Sequence, residues 1–228
     1  MICAIHQPDF LPYLGYFYKM SKADVFVFLD DAQYSKGDRH EYNEIVSPMG
    51  NRIRLKVPIE YRFPCPMTEV KVKGMEWLVK QYDSLHRCYG MNDELERMQG
   101  RIVKIAEHSS SLAEMNCIIN SMIARKFGFA TRLCRSSTFY LKSRSNQRLI
   151  DICKIVGADT YLSGTGAHAY LDEDLFGKNG IKVVYSDYDP VPYKQMAKGF
   201  SGYFVPNLSV IDFIATNGFC FEQYYGER

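Results

Sequence analysis

The stretch ICAIHQPDFLPYLG, residues 2–15, sets the pattern that the rest of the chain follows. Its first residues form a short apolar run, which is typical of a buried strand. Pro8 has no amide hydrogen and cannot continue a central ladder, so the strand must end near His6 and Gln7. Pro12 suits the first turn of a helix, where its missing N–H would be unpaired anyway. The predicted order is strand, His-Gln-Pro loop, helix.

His6 and Gln7 therefore follow a strand at its carboxyl end, where open α/β sheets bind their ligands. A histidine there can titrate near neutral pH and can donate or accept a hydrogen bond. The alternative is a structural role, in which His6 caps the helix or packs against Tyr13. We predict a functional role, because polar groups at this position face the usual location of a binding site.

A second apolar run, residues 25–29, ends in the same way at Asp30 and Asp31. Continuous apolar runs are typical of parallel strands that are buried on both faces. If the two strands are neighbours, the two aspartates lie on the same edge as His6. One carboxylate could orient the imidazole, and two could hold a cation. A turn cap is the alternative for Asp31. We predict His6, Asp30 and Asp31 as the catalytic candidates.

The middle of the chain changes character. Residues 35–44 are polar and form a loop long enough to cover a site. In residues 44–58, two extended arms flank a Pro-Met-Gly turn, and the second arm alternates cationic with apolar residues, which predicts a hairpin. We expect a β insertion over residues 40–73 and a helical segment over residues 75–127. Both are expected to pack within one α/β domain that spans residues 1–228.

The last third returns to alternating strands and helices. A strand over residues 159–163 runs into the turn at Gly164, where backbone amides can approach an anion closely. No Gly-Lys-Ser/Thr follows, so this is not a Walker A loop, and a tight structural turn is the alternative. Another strand is expected at residues 181–185. Ser209 is a good N-cap for the final helix, and Asp212 favours its dipole.

Further binding candidates are polar residues that follow strands, sit on the loop after the second strand, or begin helices. They are Gln7, Gln33, Tyr34, Arg39, Asn43, Ser163, Gly164, Thr165 and Ser209.

Composition excludes several function classes. Lys plus Arg number 28 and Asp plus Glu 26, and no basic block favours a nucleic-acid partner. No apolar run is long enough to span a bilayer, and we see no signal peptide, so we expect a cytoplasmic location. The seven cysteines are never in C-x-x-C spacing, which favours reduced thiols over a thiolate zinc site. We expect no metal requirement, and no cofactor is evident.

Four motifs together resemble the WbqC-like protein family, in the expected order and over nearly the whole chain. They are HQP with the nearby Leu-Pro and Gly15, then LDDAQY at 29–34, ADTYLSG at 158–164 and LSVID at 208–212. Such proteins are often found among genes for O-antigen or other surface glycans. The resemblance implies a role in making a modified sugar or related small metabolite, without supplying the reaction. After the Asp-Asp motif the family commonly carries a basic, Asn-rich stretch, and only Arg39 and Asn43 match it here.

The predicted fold class is α/β, with a mostly parallel Rossmann-like sheet, flanking helices and a small β-hairpin insertion. The pattern is also similar to the nucleotidylyltransferase-like fold, in which a paired-histidine motif and a Ser/Thr-rich helix start hold a triphosphate. Here Gln7 and Pro8 replace that motif, and only His6 remains. The analogy concerns the fold alone and does not imply ATP chemistry.

The leading functional prediction is a transferase that attaches an acyl or aminoacyl group to an amino sugar carried on a nucleotide. His6 would be the general base, Asp30 or Asp31 would orient it, and the amides around Gly164 would hold a phosphate or oxyanion. Arg39 would pair with a phosphate or carboxylate. The partners are small molecules, a nucleotide sugar or a thioester donor, and the oligomeric state is open. The alternatives are nucleotidyl transfer and a non-catalytic binding or scaffold protein in glycan assembly.

Overall fold

A computed structural model of the chain describes residues 1–90, 92–195 and 202–226. Its main sheet has five parallel strands in the spatial order β7-β2-β1-β8-β9, with strands numbered along the chain. These strands are β1 (Ile2–His6), β2 (Val25–Phe28), β7 (Arg132–Arg135), β8 (Thr160–Ser163) and β9 (Lys182–Tyr185). The predicted α/β architecture and the predicted parallel strands are confirmed.

The strand order reverses beside β1. The chain moves outward from β1 through β2 to β7, and then returns to the other side of β1 for β8 and β9. Cys3 pairs with Val25 on one side and with Tyr161 on the other. In open parallel sheets, the crevice outside such a reversal is where ligands bind. The fold therefore directs attention to the end of β1, at His6.

Both faces of the sheet are covered, which explains the continuous apolar runs of β1, up to Ile5, and of β2. Ala4 and Phe26 face the cluster that includes α1 (Leu14–Ser21), whereas Cys3 and Val25 face the cluster that includes α5 (Ser145–Val156). Successive side chains of a strand point to opposite faces, so covering both faces requires a continuous apolar run.

The elements between β2 and β7 include the predicted hairpin. They are β3 (Tyr42–Val46), β4 (Arg52–Lys56), β5 (Ile59–Glu60), β6 (Lys71–Val72), α2 (Glu76–Tyr89), α3 (Asp93–His108) and α4 (Leu112–Lys126). The later helices are α6 (Glu173–Lys178), α7 (Val210–Asn217) and α8 (Phe221–Tyr225). Ser209 caps α7 as predicted, since its Oγ accepts a hydrogen bond from the amide of Ile211. Within the described residues, no helix is both long enough and apolar enough for a membrane crossing.

The first helix begins later than the position of Pro12 predicted. Its first residue is Leu14 and its N-cap is Tyr13, so Pro12 precedes the first turn. The reason is tertiary: the carbonyl of Pro12 accepts a hydrogen bond from Val210, 2.8 Å away, and Leu11 adopts a left-handed conformation with φ 42°. The loop is thus shaped by distant parts of the chain.

Candidate functional site

A cleft of about 1340 Å³ opens at the carboxyl ends of β1 and β2, and we call it the central cleft. Polar residues that line it include His6, Gln7, Asp31 and Gln33. The opposite wall is formed by residues 141–149, which include the start of α5. Its size is adequate for a ligand larger than a simple sugar.

His6 ends β1 and lines the central cleft, but most of its ring is enclosed by protein. Its Nδ1 lies 3.0 Å from the carbonyl oxygen of Gln7, and its ring packs edge-on against Tyr16. Burial, reinforced by the nearby charge of Lys19, lowers the pKa of His6 to about 4. The imidazole is therefore neutral at pH 7. A neutral ring that donates from Nδ1 keeps a lone pair on Nε2, which can accept a proton from a ligand.

Asp31 also lines the cleft, where it forms an ion pair with Arg148 and not with His6. Its Oδ2 lies 2.5 Å from Nη2 of Arg148, and its Oδ1 accepts a hydrogen bond of 2.5 Å from Ser136. Arg148 donates two more hydrogen bonds, to the carbonyl oxygens of Leu141 and Ser143. The carboxylate thus fixes the direction of a guanidinium at the edge of the cleft.

Asp30 has a different position from its neighbour. It is fully buried, lies outside the lining of the central cleft, and forms an ion pair of 2.7 Å with Arg135. It also accepts hydrogen bonds from the hydroxyls of Ser136 and Ser137 and from the amide of Ser137. Asp30 therefore joins the end of β2 to the turn that follows β7.

The cationic wall of the cleft did not figure among the sequence candidates. Lys142, Arg144 and Arg148 all line it, and neither Lys142 nor Arg144 has an ion-pair partner among the described residues. Helix α5 begins at Ser145 with no side-chain cap, and Ser145 and Asn146 of its first turn line the same space, which places the uncapped positive end of the helix beside the cleft. A run of three cations around a helix start is the signal that could have identified this wall.

Gln7 and Gln33 connect two walls of the cleft. Nε2 of Gln7 donates to the carbonyl oxygen of Gln33 at 3.2 Å. Gln33 bridges to Pro66, and the amide of Tyr34 donates to the carbonyl of Cys65 at 2.9 Å. The LDDAQY segment is thereby fixed against residues 64–66.

The other predicted residues on this part of the chain lie elsewhere. Arg39 and Asn43 border a smaller cavity of about 350 Å³, together with Asp9 and Tyr13. Arg39 is 3.4 Å from the carboxylate of Glu44. Tyr34 lines a separate cavity on the far side of its own segment.

The candidates from the last third of the chain lie outside the lining of the central cleft. Ser163 is buried, and its Oγ is 3.4 Å from the carbonyl oxygen of Gly164. Gly164 and Thr165 begin a 3-10 turn. Ser209 is buried and donates from Oγ to the carbonyl oxygen of Leu11 at 2.7 Å. Tyr161, from the same strand as Ser163, does line the cleft.

Behind the cleft, a group of buried polar side chains holds residues 8–11, and we call it the loop bracket. It comprises Asp9, His40, Asn43, Asn116, Asn120 and Ser209. Asn116 donates to the carbonyl oxygens of Pro8 and His40, at 2.9 and 2.8 Å. Asn120 donates to the carbonyl oxygen of Asp9, and His40 Nδ1 lies 2.8 Å from the Asp9 carboxylate. The bracket therefore fixes the chain immediately after Gln7.

No cluster of three or more His, Cys, Asp or Glu side chains within the described ranges is arranged to hold a metal ion. All seven cysteines are free thiols. The groups that line the central cleft and can act on a ligand include one neutral imidazole, one carboxylate, three cations and the side-chain amides of Gln7, Gln33 and Asn146.

Comparisons with known proteins agree with the family resemblance of the sequence. A sequence model of the WbqC-like protein family matches residues 7–220. The uncharacterized protein Rv1507c of Mycobacterium tuberculosis (strain ATCC 25618 / H37Rv) is 29% identical over 219 residues, which cover 94% of this chain and 93% of that protein. No solved structure matches the chain.

Proposed function

The chain belongs to the WbqC-like protein family, and from that premise we propose that it is a transferase of surface-glycan or related small-metabolite biosynthesis. Its reaction would attach an acyl or aminoacyl group to an amino sugar carried on a nucleotide. The observation that carries the proposal is the central cleft, where a neutral histidine faces a cationic wall beside the reversal of strand order.

The cationic wall suits the phosphates of a nucleotide-linked sugar or of a thioester carrier. Lys142 and Arg144 have no carboxylate partner among the described residues, so their charges are available to a ligand. The uncapped start of α5 adds amide donors and a positive dipole end. Arg148, held by Asp31, can present its guanidinium to a phosphate in a fixed direction.

His6 is the proposed general base. In the reaction, the amine of the acceptor attacks the carbonyl carbon of a thioester. The C–N bond forms, the C–S bond breaks, and the thiolate leaves. The proton of the amine passes to Nε2 of His6 and then to the thiolate. Because the pKa of His6 is lowered to about 4, the imidazole is neutral throughout the neutral range, and its Nε2 carries no proton and can accept one.

The remaining candidates have supporting roles in this proposal. Gln7 and Gln33 would bind sugar hydroxyls, because both amides line the cleft. Asp30 would be a positioning residue that acts through the turn at Ser136. The amides around Gly164 and the guanidinium of Arg39 lie outside the cleft lining, and we propose them only as anion contacts for parts of a ligand that extend beyond the cleft.

A thermal-shift screen of nucleotide-linked amino sugars, CoA thioesters and ATP tests the proposal. We expect the amino sugars and thioesters to raise the melting temperature of the wild-type protein, and the Arg144→Ala variant to lose that response. Arg101→Ala is the matched control, since Arg101 is exposed on α3 and is not part of the cleft lining. A response to ATP with release of pyrophosphate would instead support nucleotidyl transfer. No response to any of the three would contradict a transferase and favour a scaffold role.

A further inference from the structure

A second cavity, of about 730 Å³, lies between the loop after Tyr34, the hairpin arm β4 and the start of α2. We call it the lysine cavity, because four lysines line it: Lys36, Lys56, Lys73 and Lys80. Within the described part of the chain, none of these four ammonium groups has an ion pair or a hydrogen bond. Two glutamates, Glu41 and Glu76, also line the cavity, so the positive charge is in excess.

Two buried polar groups of the cavity, the hydroxyl of Tyr34 and Oε2 of Glu41, make no hydrogen bond to any other described residue, although their side chains are only 1% and 5% exposed. The two groups are neighbours: burial, and then the carboxylate of Glu41 with its hydrogen bond to Tyr34, raise the pKa of Tyr34. This single contact leaves the carboxylate of Glu41 able to accept a further hydrogen bond from an amino or hydroxyl group. A buried carboxylate with so few donors is costly, so its presence in a cavity lining indicates a ligand.

The walls of the cavity are aromatic. Tyr34 and Tyr61 pack edge-on with their ring centroids 4.7 Å apart, and Trp77 lies beside them. Such surfaces favour a flat ring. The ligand that these features require is anionic at one end, carries a hydrogen-bond donor, and contains a planar group.

We infer that the lysine cavity binds a nucleoside phosphate, with phosphates on the lysines and a base or ribose donor on Glu41. This site is separate from the central cleft: Gln33 lines the cleft, whereas the next residue, Tyr34, lines the lysine cavity. The inference goes beyond the proposed function and does not depend on it, because it names a second site with its own ligand.

Trp77 makes the inference directly testable. It is the chain's single tryptophan and it lines the lysine cavity, so its fluorescence reports on this site. Purified full-length protein should be titrated with ADP, UDP, adenosine and inorganic phosphate, and followed by Trp77 emission and by calorimetry. We expect a saturable signal with a nucleoside diphosphate and a much weaker response to adenosine or phosphate alone.

Variants connect the signal to the cavity. Lys73→Ala and Glu41→Gln should each weaken binding by roughly tenfold, the effect of losing one hydrogen bond to a charged group. Lys71→Ala is the matched control, because Lys71 is on the same segment but donates to the carbonyl of Ser110, outside the cavity. Arg144→Ala, in the central cleft, should leave the Trp77 response unchanged, and this separates the two sites.

Several outcomes would overturn the inference. They are no binding by either method, binding that Lys73→Ala and Glu41→Gln leave intact, or equal affinity for inorganic phosphate and a nucleoside diphosphate. A Trp77 response that is lost in Arg144→Ala would also overturn it, since the ligand would then sit in the central cleft. Circular dichroism of each variant confirms that folding is retained, and Tyr34→Phe provides a second variant if Glu41→Gln does not fold.

Discussion

The central cleft and the loop bracket lie on either side of the same HQPD segment and use their polar side chains in opposite ways. In the loop bracket, the side-chain amides of Asn116 and Asn120 are buried and donate hydrogen bonds to backbone carbonyl oxygens. In the cleft, Lys142 and Arg144 have no protein partner among the described residues. The bracket fixes a loop, and the cleft leaves its charges available to a ligand.

This difference shows how polar residues with a structural role can be told from polar residues that face a ligand at the end of a strand. Asp30 and Asp31 are adjacent in sequence, yet Asp30 is enclosed by Arg135 and two serines, whereas Asp31 faces the cleft. Proximity to a strand end alone does not distinguish the structural aspartate from the one that faces the cleft. The two are distinguished by the number of hydrogen-bond and ion-pair partners that the protein itself supplies.

The largest expected effect comes from Lys19, which lies between the two regions. It is buried, donates to the carbonyl of Ile5 at 3.3 Å, and its charge acts on both His6 and Asp9. Burial lowers the pKa of Lys19 from 10.5 to about 7. The folded state thus binds fewer protons than the unfolded state between pH 7 and 10.5. Stability should rise with pH across this window, by roughly 5 kcal/mol for one group.

The Lys19→Met variant should remove that dependence and be more stable than the wild type at pH 6. Urea unfolding at pH 6, 8 and 9.5 measures the difference. Lys104→Met is the control, since Lys104 is exposed on α3 and should change little. Parallel pH profiles for Lys19→Met and the wild type would show that the ammonium is already well solvated.

The next effect is the loss of Asp30. Asp30→Asn removes the charge that pairs with Arg135 and places an amide donor against the amide of Ser137. We expect a loss of about 3 kcal/mol in the free energy of unfolding, because the buried hydrogen bonds of Asp30 are broken, although Arg135 is 35% exposed and keeps part of its hydration. Chemical denaturation provides the measurement. A loss below about 1 kcal/mol, the range of exposed pairs, would contradict the assignment of Asp30 to the protein interior.

Much of the fold could be predicted because its signals are local. The apolar runs of β1 and β2, the hairpin alternation and the Ser209 cap all lie within a few neighbouring residues. The partners of the candidate site residues, in contrast, lie far away along the chain. Asp30 meets Arg135, and Asp31 meets Arg148, more than a hundred residues along the chain. Sequence reasoning could place these aspartates at the correct edge of the sheet, but only the packing of α5 and β7 decides which carboxylate faces the cleft.

The Asn116→Ala variant tests whether the loop bracket holds residues 8–11 in place. Asn116→Ala leaves the buried carbonyls of Pro8 and His40 without donors, so a loss of about 2 kcal/mol in stability is expected. The loop after Gln7 should loosen, and ligand responses in the central cleft should weaken with it. Ser121→Ala is the control on the same helix, because that hydroxyl bonds only to the carbonyl of Cys117 one turn earlier. Equal stability of the two variants would mean that the bracket does not hold the loop.

The smallest effect on stability, and the most informative about function, is expected for Asp31→Asn. The side chains of Asp31 and Arg148 are 21% and 14% exposed, and Ser136 and two carbonyls still restrain them, so the variant should lose less than about 1 kcal/mol. Its affinity for the ligand should nevertheless fall by roughly tenfold, because a guanidinium that Asp31 no longer holds must be ordered when the ligand binds.

Removing a negative charge from a cationic cleft acts in the opposite direction and favours the binding of anions. The measured sign therefore decides between two roles. Weaker binding of a nucleotide-linked sugar by calorimetry, with unfolding unchanged, identifies Asp31 as the residue that positions Arg148. Tighter binding would show that it only neutralises the wall.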